Sequence, residues 1–131
     1  MADATIQVTG IDRLLVKLDS AMADSTLRPP MVRATARLQS FIARYPPEPP
    51  ASTYVRTGTL GRSWTTETRG FAGSLQGIVG NVVEYAPYVQ DKARQAWMHV
   101  GRWQTTEDAI KEEMPAIEAD FGRAVEGALS R

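Results

Sequence analysis

Apolar residues recur every three or four positions in the first third of the chain, and this spacing predicts two helices. The segment Ile11–Met22 carries one apolar stripe, with charged residues on the opposite side. Pro29 and Pro30 are tolerated near a helix start, so a second helix is expected from about residue 27 or 28 to Arg44. Its inward-facing residues are expected to be Met31, Ala34, Leu38, Phe41 and Tyr45.

A third helix is predicted at the C-terminal end. Thr105 and Thr106 supply capping hydroxyls, and Glu107 and Asp108 follow in the first turn, where the positive end of the helix dipole favours acids. Apolar residues continue at helical spacing to residue 128. Pro115 is expected to kink or divide this helix.

The middle of the chain has the composition of β-strands. Arg62–Thr68 and Leu75–Val83 flank a turn at Gly70–Ser74 and predict an antiparallel hairpin. Tyr85–Val89 contains a proline and is expected to be an edge strand or a loop against the sheet. Trp97–Trp103 is interpreted as one more strand.

Together these elements predict an α+β fold in a single domain, residues 1–131. A short N-terminal strand at Thr5–Val8 precedes the two helices; an antiparallel, hairpin-rich sheet and a long C-terminal helix packed on the sheet follow them. A proline-rich extended arm or loop is predicted at about residues 45–61, because each proline in Tyr45–Pro50 removes a backbone donor and restricts the residue before it.

Composition excludes several classes of protein. The chain has no cysteine, so disulfides, cysteine-ligated zinc and thiol chemistry are excluded. No run approaches the ~18 apolar residues of a membrane span, and the first ten residues do not look like a signal peptide. We therefore expect synthesis in the cytosol and no membrane partner.

The charges balance overall but are unevenly placed. There are 15 basic and 15 acidic residues, which argues against a protein that coats nucleic acid. Residues 1–66 hold 8 basic and 5 acidic residues (+3), and the remainder holds 7 and 10 (−3). Contact between unlike faces of neighbouring copies is one explanation, and a chance distribution is the other.

A basic stripe lies on the second predicted helix, where Arg33, Arg37 and Arg44 share a face. Guanidinium groups in this arrangement suit phosphates or carboxylates. The acidic C-terminal helix of the same or another copy offers such carboxylates. A solvated outer face is the alternative interpretation.

The sequence contains no recognisable catalytic or metal-binding constellation. His99, the one histidine, stands among aromatic residues without an identifiable activating partner, and a structural role is expected for it. The glycine-bearing stretches 56–63 and 77–80 lack the sequence and context of phosphate-binding loops. No catalytic residue, cofactor or metal ion is expected, and we interpret the chain as not an enzyme.

Three short motifs occur in an order that resembles a known family. Ile6–Leu14 is similar to an opening strand, glycine and helix. Thr57–Ser63 is similar to a Thr-Gly-x-Leu-x-x-Ser element, and Tyr85–Val89 to a Tyr-Ala-x-Tyr-Val element. These elements resemble the small neck and tail-completion proteins of siphovirus-type phages and prophages, over about residues 6–129. The chain departs from the family at Gln90–Ala93, where an acid, any residue and Gly-Thr often follow.

The resemblance implies a structural virion protein that is assembled in the bacterial host cytoplasm and located at the head–tail junction. It would form a ring of identical subunits beside connector or tail-tube proteins, with DNA passing through a channel. The candidates for the subunit interface are Tyr45, Pro46, Pro47, Tyr54, Arg56, Leu60, Tyr85 and Tyr88. Arg33, Arg37 and Arg44 are the basic residues expected to face the channel or a partner.

Two other functions are compatible with the sequence. A small nucleic-acid-binding module would use the basic stripe together with Arg56 and Arg62, and Trp64 would stack on bases. A small enzyme would use His99 with Glu84 or Asp91.

Overall fold

The expected α+β class is confirmed in the computed structural model, which describes residues 5, 7, 9–48, 56–71 and 74–131. The elements in chain order are α1 (Ile11–Ala21), α2 (Asp24–Ile42), α3 (Thr59–Arg62), β1 (Trp64–Phe71), β2 (Ser74–Asn81), α4 (Ala86–Gln90), a single 3₁₀ turn (Trp97–His99) and α5 (Thr106–Leu129). β1 and β2 form the predicted antiparallel hairpin, with Trp64 opposite Asn81 and Glu67 opposite Ile78.

Helix α2 is the centre of the fold, because it packs against both strands of the hairpin and against α5. Ile42, at its last turn, is buried with Trp64 of β1 and Ala109 of α5. Nearer the N-terminal end of α2, strand β2 approaches the helix unusually closely. A Cβ on Gly77 of β2 would lie 2.6 Å from Met31 Sδ, so the absence of a side chain lets the strand approach α2.

Helix α5 begins with the predicted cap. The Thr105 hydroxyl accepts a hydrogen bond from the Asp108 amide, and the Asp108 carboxylate accepts one from the Thr105 amide, which forms a reciprocal capping box. The first turn of α5 packs on the sheet through Ala109, and the helix then runs along α2. It continues through Pro115 without dividing, contrary to one of the two outcomes expected there.

A second cluster lies beyond the C-terminal end of α2. Leu60 of α3 is buried with Ala86 and Val89 of α4, and Tyr45 and Trp103 pack against them. The Gln90 side chain ties this cluster to α2, because its Nε2 donates to the Ile42 carbonyl at 2.9 Å.

The predicted start of the second helix was wrong by about one turn. Helix α2 begins at Asp24, so Pro29 and Pro30 lie inside it and not at its first position. The added turn is stabilised by a bidentate contact in which Arg28 donates to Asp24 at 2.8 and 2.9 Å. This interaction offsets part of the cost of two missing backbone donors.

Two predictions for the segment after the hairpin were also wrong: an edge strand or loop at Tyr85–Val89, and a strand at Trp97–Trp103. Tyr85–Val89 is largely the short helix α4, and Trp97–Trp103 is a 3₁₀ turn followed by irregular backbone with Gly101 at φ 77°. Proline at the first turn of a helix is favourable, and this preference prevails over the β-propensity of the neighbouring tyrosines. The sheet in the described residues therefore has two strands.

Two predictions fall partly outside the described residues. The N-terminal strand was placed at Thr5–Val8, of which Ile6 and Val8 are not described. The extended arm was placed at about residues 45–61, of which residues 49–55 are not described. Residues 44–48 and 56–58 have no regular structure, as predicted, whereas α3 occupies the end of that range.

Candidate interaction surfaces

An aromatic groove of about 500 Å³ lies at the C-terminal end of α2. Four segments form it: the chain after α2, the approach to α3 with its first turn, the residues at α4, and the loop before α5. Its lining residues are Tyr45, Glu48, Arg56, Thr57, Gly58, Leu60, Tyr85, Tyr88, Val89, Met98, His99, Arg102 and Trp103. We call this feature the aromatic groove.

Arg56 is held inside the aromatic groove by four contacts. Its guanidinium carbon lies 5.5 Å from the centroid of the Tyr45 ring and 5.7 Å from that of Trp103. The same group donates to the Pro46 carbonyl at 2.5 Å and lies 3.8 Å from the Glu48 carboxylate. Stacking on two ring faces and a charge-assisted hydrogen bond fix the position of this side chain.

The Tyr45 side chain is held in position by a hydrogen bond and by aromatic packing. Its hydroxyl accepts a hydrogen bond from the Gly61 amide at 2.9 Å, and its ring meets that of Trp103 edge-on at 5.1 Å. Leu60 is held from the other side, because Asn81 Nδ2 donates to its carbonyl at 2.8 Å. These contacts fix Tyr45, Arg56 and Leu60 in position, and such preorganisation lowers the entropic cost of binding.

His99 forms part of the groove wall and packs edge-on against Trp103, with centroids 6.2 Å apart. Burial, followed by the nearby Arg102 charge, lowers the pKa of the imidazole below its ordinary value. Its Nδ1 is buried and has no hydrogen-bond partner among the described residues. The Asp91 carboxylate instead accepts from Arg94 at 3.1 Å and from the Ala93 amide at 3.1 Å.

The rim of the groove exposes large apolar side chains. Tyr85 is 48 % exposed, Tyr88 58 % and Trp97 84 %. Met98 and Val100 are at least half exposed. These side chains belong to the segment from residue 85 to 103, which also forms part of the groove and which we call the aromatic surface. Its two halves are held together, because the Ala96 amide donates to the Tyr88 carbonyl at 2.7 Å. Such patches mark interaction sites.

Helix α1 presents a second exposed apolar surface. The stripe predicted from its spacing exists, but its large side chains are open to solvent: Ile11, Leu14, Leu15, Val16, Leu18 and Met22 are between 43 and 68 % exposed. Ala21 is the residue of α1 that is fully buried. The helix thus contacts α5 and α2 through a narrow edge.

The basic stripe of α2 is largely engaged within the same chain. Arg33 donates to Asp120 at 2.6 and 3.0 Å, and Arg37 donates to Glu113 at 3.1 Å. The hydrogen bonds from Arg33 lower the pKa of the Asp120 carboxyl. These pairs join α2 to α5, so the basic and acidic helices neutralise one another within one copy. Arg44 is exposed and its guanidinium lies 5.2 Å from the Phe41 ring centroid.

Most of the interface candidates predicted from the sequence lie in the aromatic groove. Five of the eight interface candidates line it: Tyr45, Arg56, Leu60, Tyr85 and Tyr88. Pro46 contacts it through its carbonyl, Pro47 is exposed, and Tyr54 lies outside the described residues. The contributions of Met98, Arg102 and Trp103 were not expected, because that segment was interpreted as a strand. The signal that could have revealed them is a cluster of large apolar residues without alternation.

Comparisons with protein families, with curated proteins and with solved structures give no match to this chain. Within the part of the chain that the structure describes, no helix is long and apolar enough to cross a membrane. The same residues contain no group of histidine and acidic side chains arranged to hold a metal ion.

Proposed function

We propose that this chain is a non-enzymatic structural protein that assembles with copies of itself as a ring at the head–tail junction of a tailed phage or prophage. The observation that carries the proposal is the juxtaposition of its two central motifs. Thr57–Ser63 and Tyr85–Val89 are far apart in sequence, yet Leu60 of the first is buried against Val89 of the second. Both motifs then line one groove with an exposed aromatic rim.

Large exposed apolar side chains support an assembling protein. A soluble monomer rarely leaves a large contiguous apolar patch open, whereas subunit interfaces are enriched in tyrosine, tryptophan, methionine and arginine. The aromatic surface has this composition, with Tyr88, Trp97 and Met98 half exposed or more. Helix α1 adds a second such surface.

The groove is better suited to contact than to catalysis. His99 makes edge-on aromatic packing, and within the described residues no carboxylate hydrogen-bonds to it. Arg56 is occupied by two ring faces, a carbonyl and a carboxylate. These contacts support the role of both side chains in shaping a contact surface.

The nucleic-acid-binding alternative has less support from the geometry. Arg33 and Arg37 are paired with carboxylates of α5, which offset their charge. Trp64 is 7 % exposed and packs in the core, so its ring has little face left for stacking on a base. Arg44 and Arg62 remain exposed and are available to line a channel.

Native mass spectrometry of the purified chain tests the proposal. We expect oligomers of one uniform stoichiometry, either alone or after mixing with the connector or tail-tube proteins encoded beside it. Negative-stain microscopy should show these oligomers as rings. In the phage, an early stop codon in the gene should leave DNA-filled heads and tails unjoined. A chain that stays monomeric with every such neighbour, or a mutant phage with normal particles, would contradict the proposal.

A further inference from the structure

We infer that the acid-bearing apolar face of α1 in one copy docks on the aromatic surface of a second copy. This contact rests on the proposed function, since it specifies which surfaces of the assembling subunits meet. It is heterologous, with two different patches of the same chain in contact. Heterologous contacts generate rings when the rotation between subunits closes.

The buried residue Ala21 shows which side of α1 faces the core and therefore which side faces solvent. Ala21 is 1 % exposed, which marks the side of the helix turned to the core. At about 100° per residue, Asp12 and Asp19 point roughly 160–180° away from Ala21. Leu15 and Val16 flank these acids and are 52 and 68 % exposed. The side of α1 opposite Ala21 therefore carries two carboxylates, with the exposed apolar side chains of Leu15 and Val16 on either side of them.

The aromatic surface has the complementary character. It offers large apolar side chains around Tyr88 and Trp97, and the exposed bases Lys92 and Arg102 lie in the same segment. None of the ion pairs among the described residues includes either base. Two exposed acids lie nearby: Glu84, just before this segment, and Glu48 in the groove, which lies 3.8 Å from Arg56. Within the segment, Asp91 is paired with Arg94, so its charge outside ion pairs is positive.

Charge also disfavours the simplest alternative, in which α1 pairs with α1 of another copy. Face-to-face pairing would bring Asp12 and Asp19 of both copies into one interface, and like charges at an interface are costly. Pairing with Lys92 and Arg102 of the aromatic surface instead joins opposite charges.

The positions of the two surfaces also suit a head-to-tail contact. Two residues separate the end of α1 from the start of α2, whereas the aromatic surface is tied to the other end of α2. Gln90 and Gln104 make that tie by donating to the Ile42 and Phe41 carbonyls at 2.9 and 3.0 Å. The 19 residues of α2 span about 28 Å at 1.5 Å per residue. Each copy thus carries the two patches at separate places and can contact two neighbours.

Two variants that each lose one surface test this contact. Leu15→Arg places a charge on the α1 face, and Tyr88→Ala combined with Trp97→Ala removes the rim of the aromatic surface. All three positions are more than half exposed, so the fold should survive, and circular dichroism with thermal unfolding checks that it does. Arg13→Glu, which changes a charge on α1 outside the docking face, is the matched control and should assemble like the wild type.

Each variant alone should be monomeric, and an equal mixture should form a 1:1 dimer that grows no further, because one intact surface remains on each partner. Native mass spectrometry and light scattering measure these masses. A dimer of the aromatic-surface variant by itself would show that α1 pairs with α1 and would overturn the inference. So would a mixture that stays monomeric.

The outcomes separate this contact from the proposed function. A wild-type oligomer whose mass neither variant changes refutes the contact but leaves self-assembly standing. A wild-type chain that is monomeric alone and with connector or tail-tube proteins refutes both.

The charges are tested in the mixed dimer. Asp12→Lys with Asp19→Lys on the partner that supplies α1 should raise its dissociation constant about three- to tenfold at low salt and less at high salt. An unchanged constant at low salt would refute the charge complementarity on which the pairing depends.

Discussion

The tight approach of β2 to α2 leads to a sharp prediction for Gly77. A Cβ at this position would lie 2.6 Å from Met31 Sδ and 2.8 Å from Thr35 Cγ2, both well inside van der Waals contact. Thr35 cannot easily move away, because it is 4 % exposed and its hydroxyl donates to the Val32 carbonyl at 2.9 Å. Gly77→Ala must therefore push the strand from the helix or force Met31 into another rotamer.

Overpacking of a core by a single carbon typically costs about 1–3 kcal/mol. Relief by Met31, which is flexible, places the expected loss of unfolding free energy for Gly77→Ala toward the lower half of that range. In a chain of 131 residues this corresponds to a fall in melting temperature of roughly 3–8 °C. Gly77→Val should be worse, because a β-branched side chain has fewer ways to avoid Thr35.

Gly80 supplies the control on the same strand. A Cβ there would have nothing within 4 Å, so Gly80→Ala should be neutral or stabilising by up to about 1 kcal/mol, through a smaller entropy loss on folding. Urea unfolding followed by circular dichroism measures both variants against the wild type. Equal stabilities of Gly77→Ala and Gly80→Ala would refute the close packing of β2 on α2.

Two further predictions concern α5. The pKa of Asp120 in the folded chain lies below its unfolded value of about 3.9, because Arg33 donates hydrogen bonds to its carboxylate. The stabilisation by this carboxylate is therefore fully present above the unfolded pKa and is lost as pH falls through the folded pKa. In urea unfolding below about pH 4, Asp120→Asn should lose less stability with falling pH than the wild type, and an unaltered pH profile would contradict the pair. Thr105→Ala should cost about 1 kcal/mol through loss of the cap, whereas Thr106→Ala, one residue on, should cost less; equal losses in thermal unfolding would argue against the capping box.

The elements with strong local signals were predictable from the sequence. The hydroxyl cap at the start of α5 was predicted from residue types alone, and the hairpin from a turn between two β-rich runs. Both depend on interactions within a few residues, so no knowledge of the tertiary structure was needed. Leu60 and Tyr88 were predicted to share a surface only because the resemblance singled out their two motifs, and both line the aromatic groove.

The predictions that were wrong or left open depend on tertiary contacts, which local sequence preferences do not determine. Trp97 and Val100 have high β-propensity, but within the described residues no third strand pairs with the hairpin, and the segment turns instead. The α1 stripe shows a related limit: periodicity predicts that a face is apolar and does not predict what covers it. The partners of Arg33 and Arg37 were left open between this chain and another, since helix order alone does not fix which helices become neighbours.

The distribution of burial makes a final prediction about folding and assembly. Of the ten buried hydrophobic residues among those described, five are alanines, while α1 and the aromatic surface keep most of their large side chains exposed. Large aliphatic and aromatic side chains supply most of the burial free energy of a core, so the isolated subunit should be only modestly stable. Assembly that covers these surfaces stabilises the folded state by mass action.

The melting temperature of the wild type should therefore rise with protein concentration, as expected when unfolding is coupled to dissociation. The Leu15→Arg variant, which lacks the α1 face, should melt at one temperature over the same range of concentrations and should match the wild type at the dilute end. Differential scanning calorimetry across that range measures both. A wild-type melting temperature independent of concentration would mean that the exposed apolar surfaces contribute nothing to stability in solution, and the link between incomplete burial and assembly would fail.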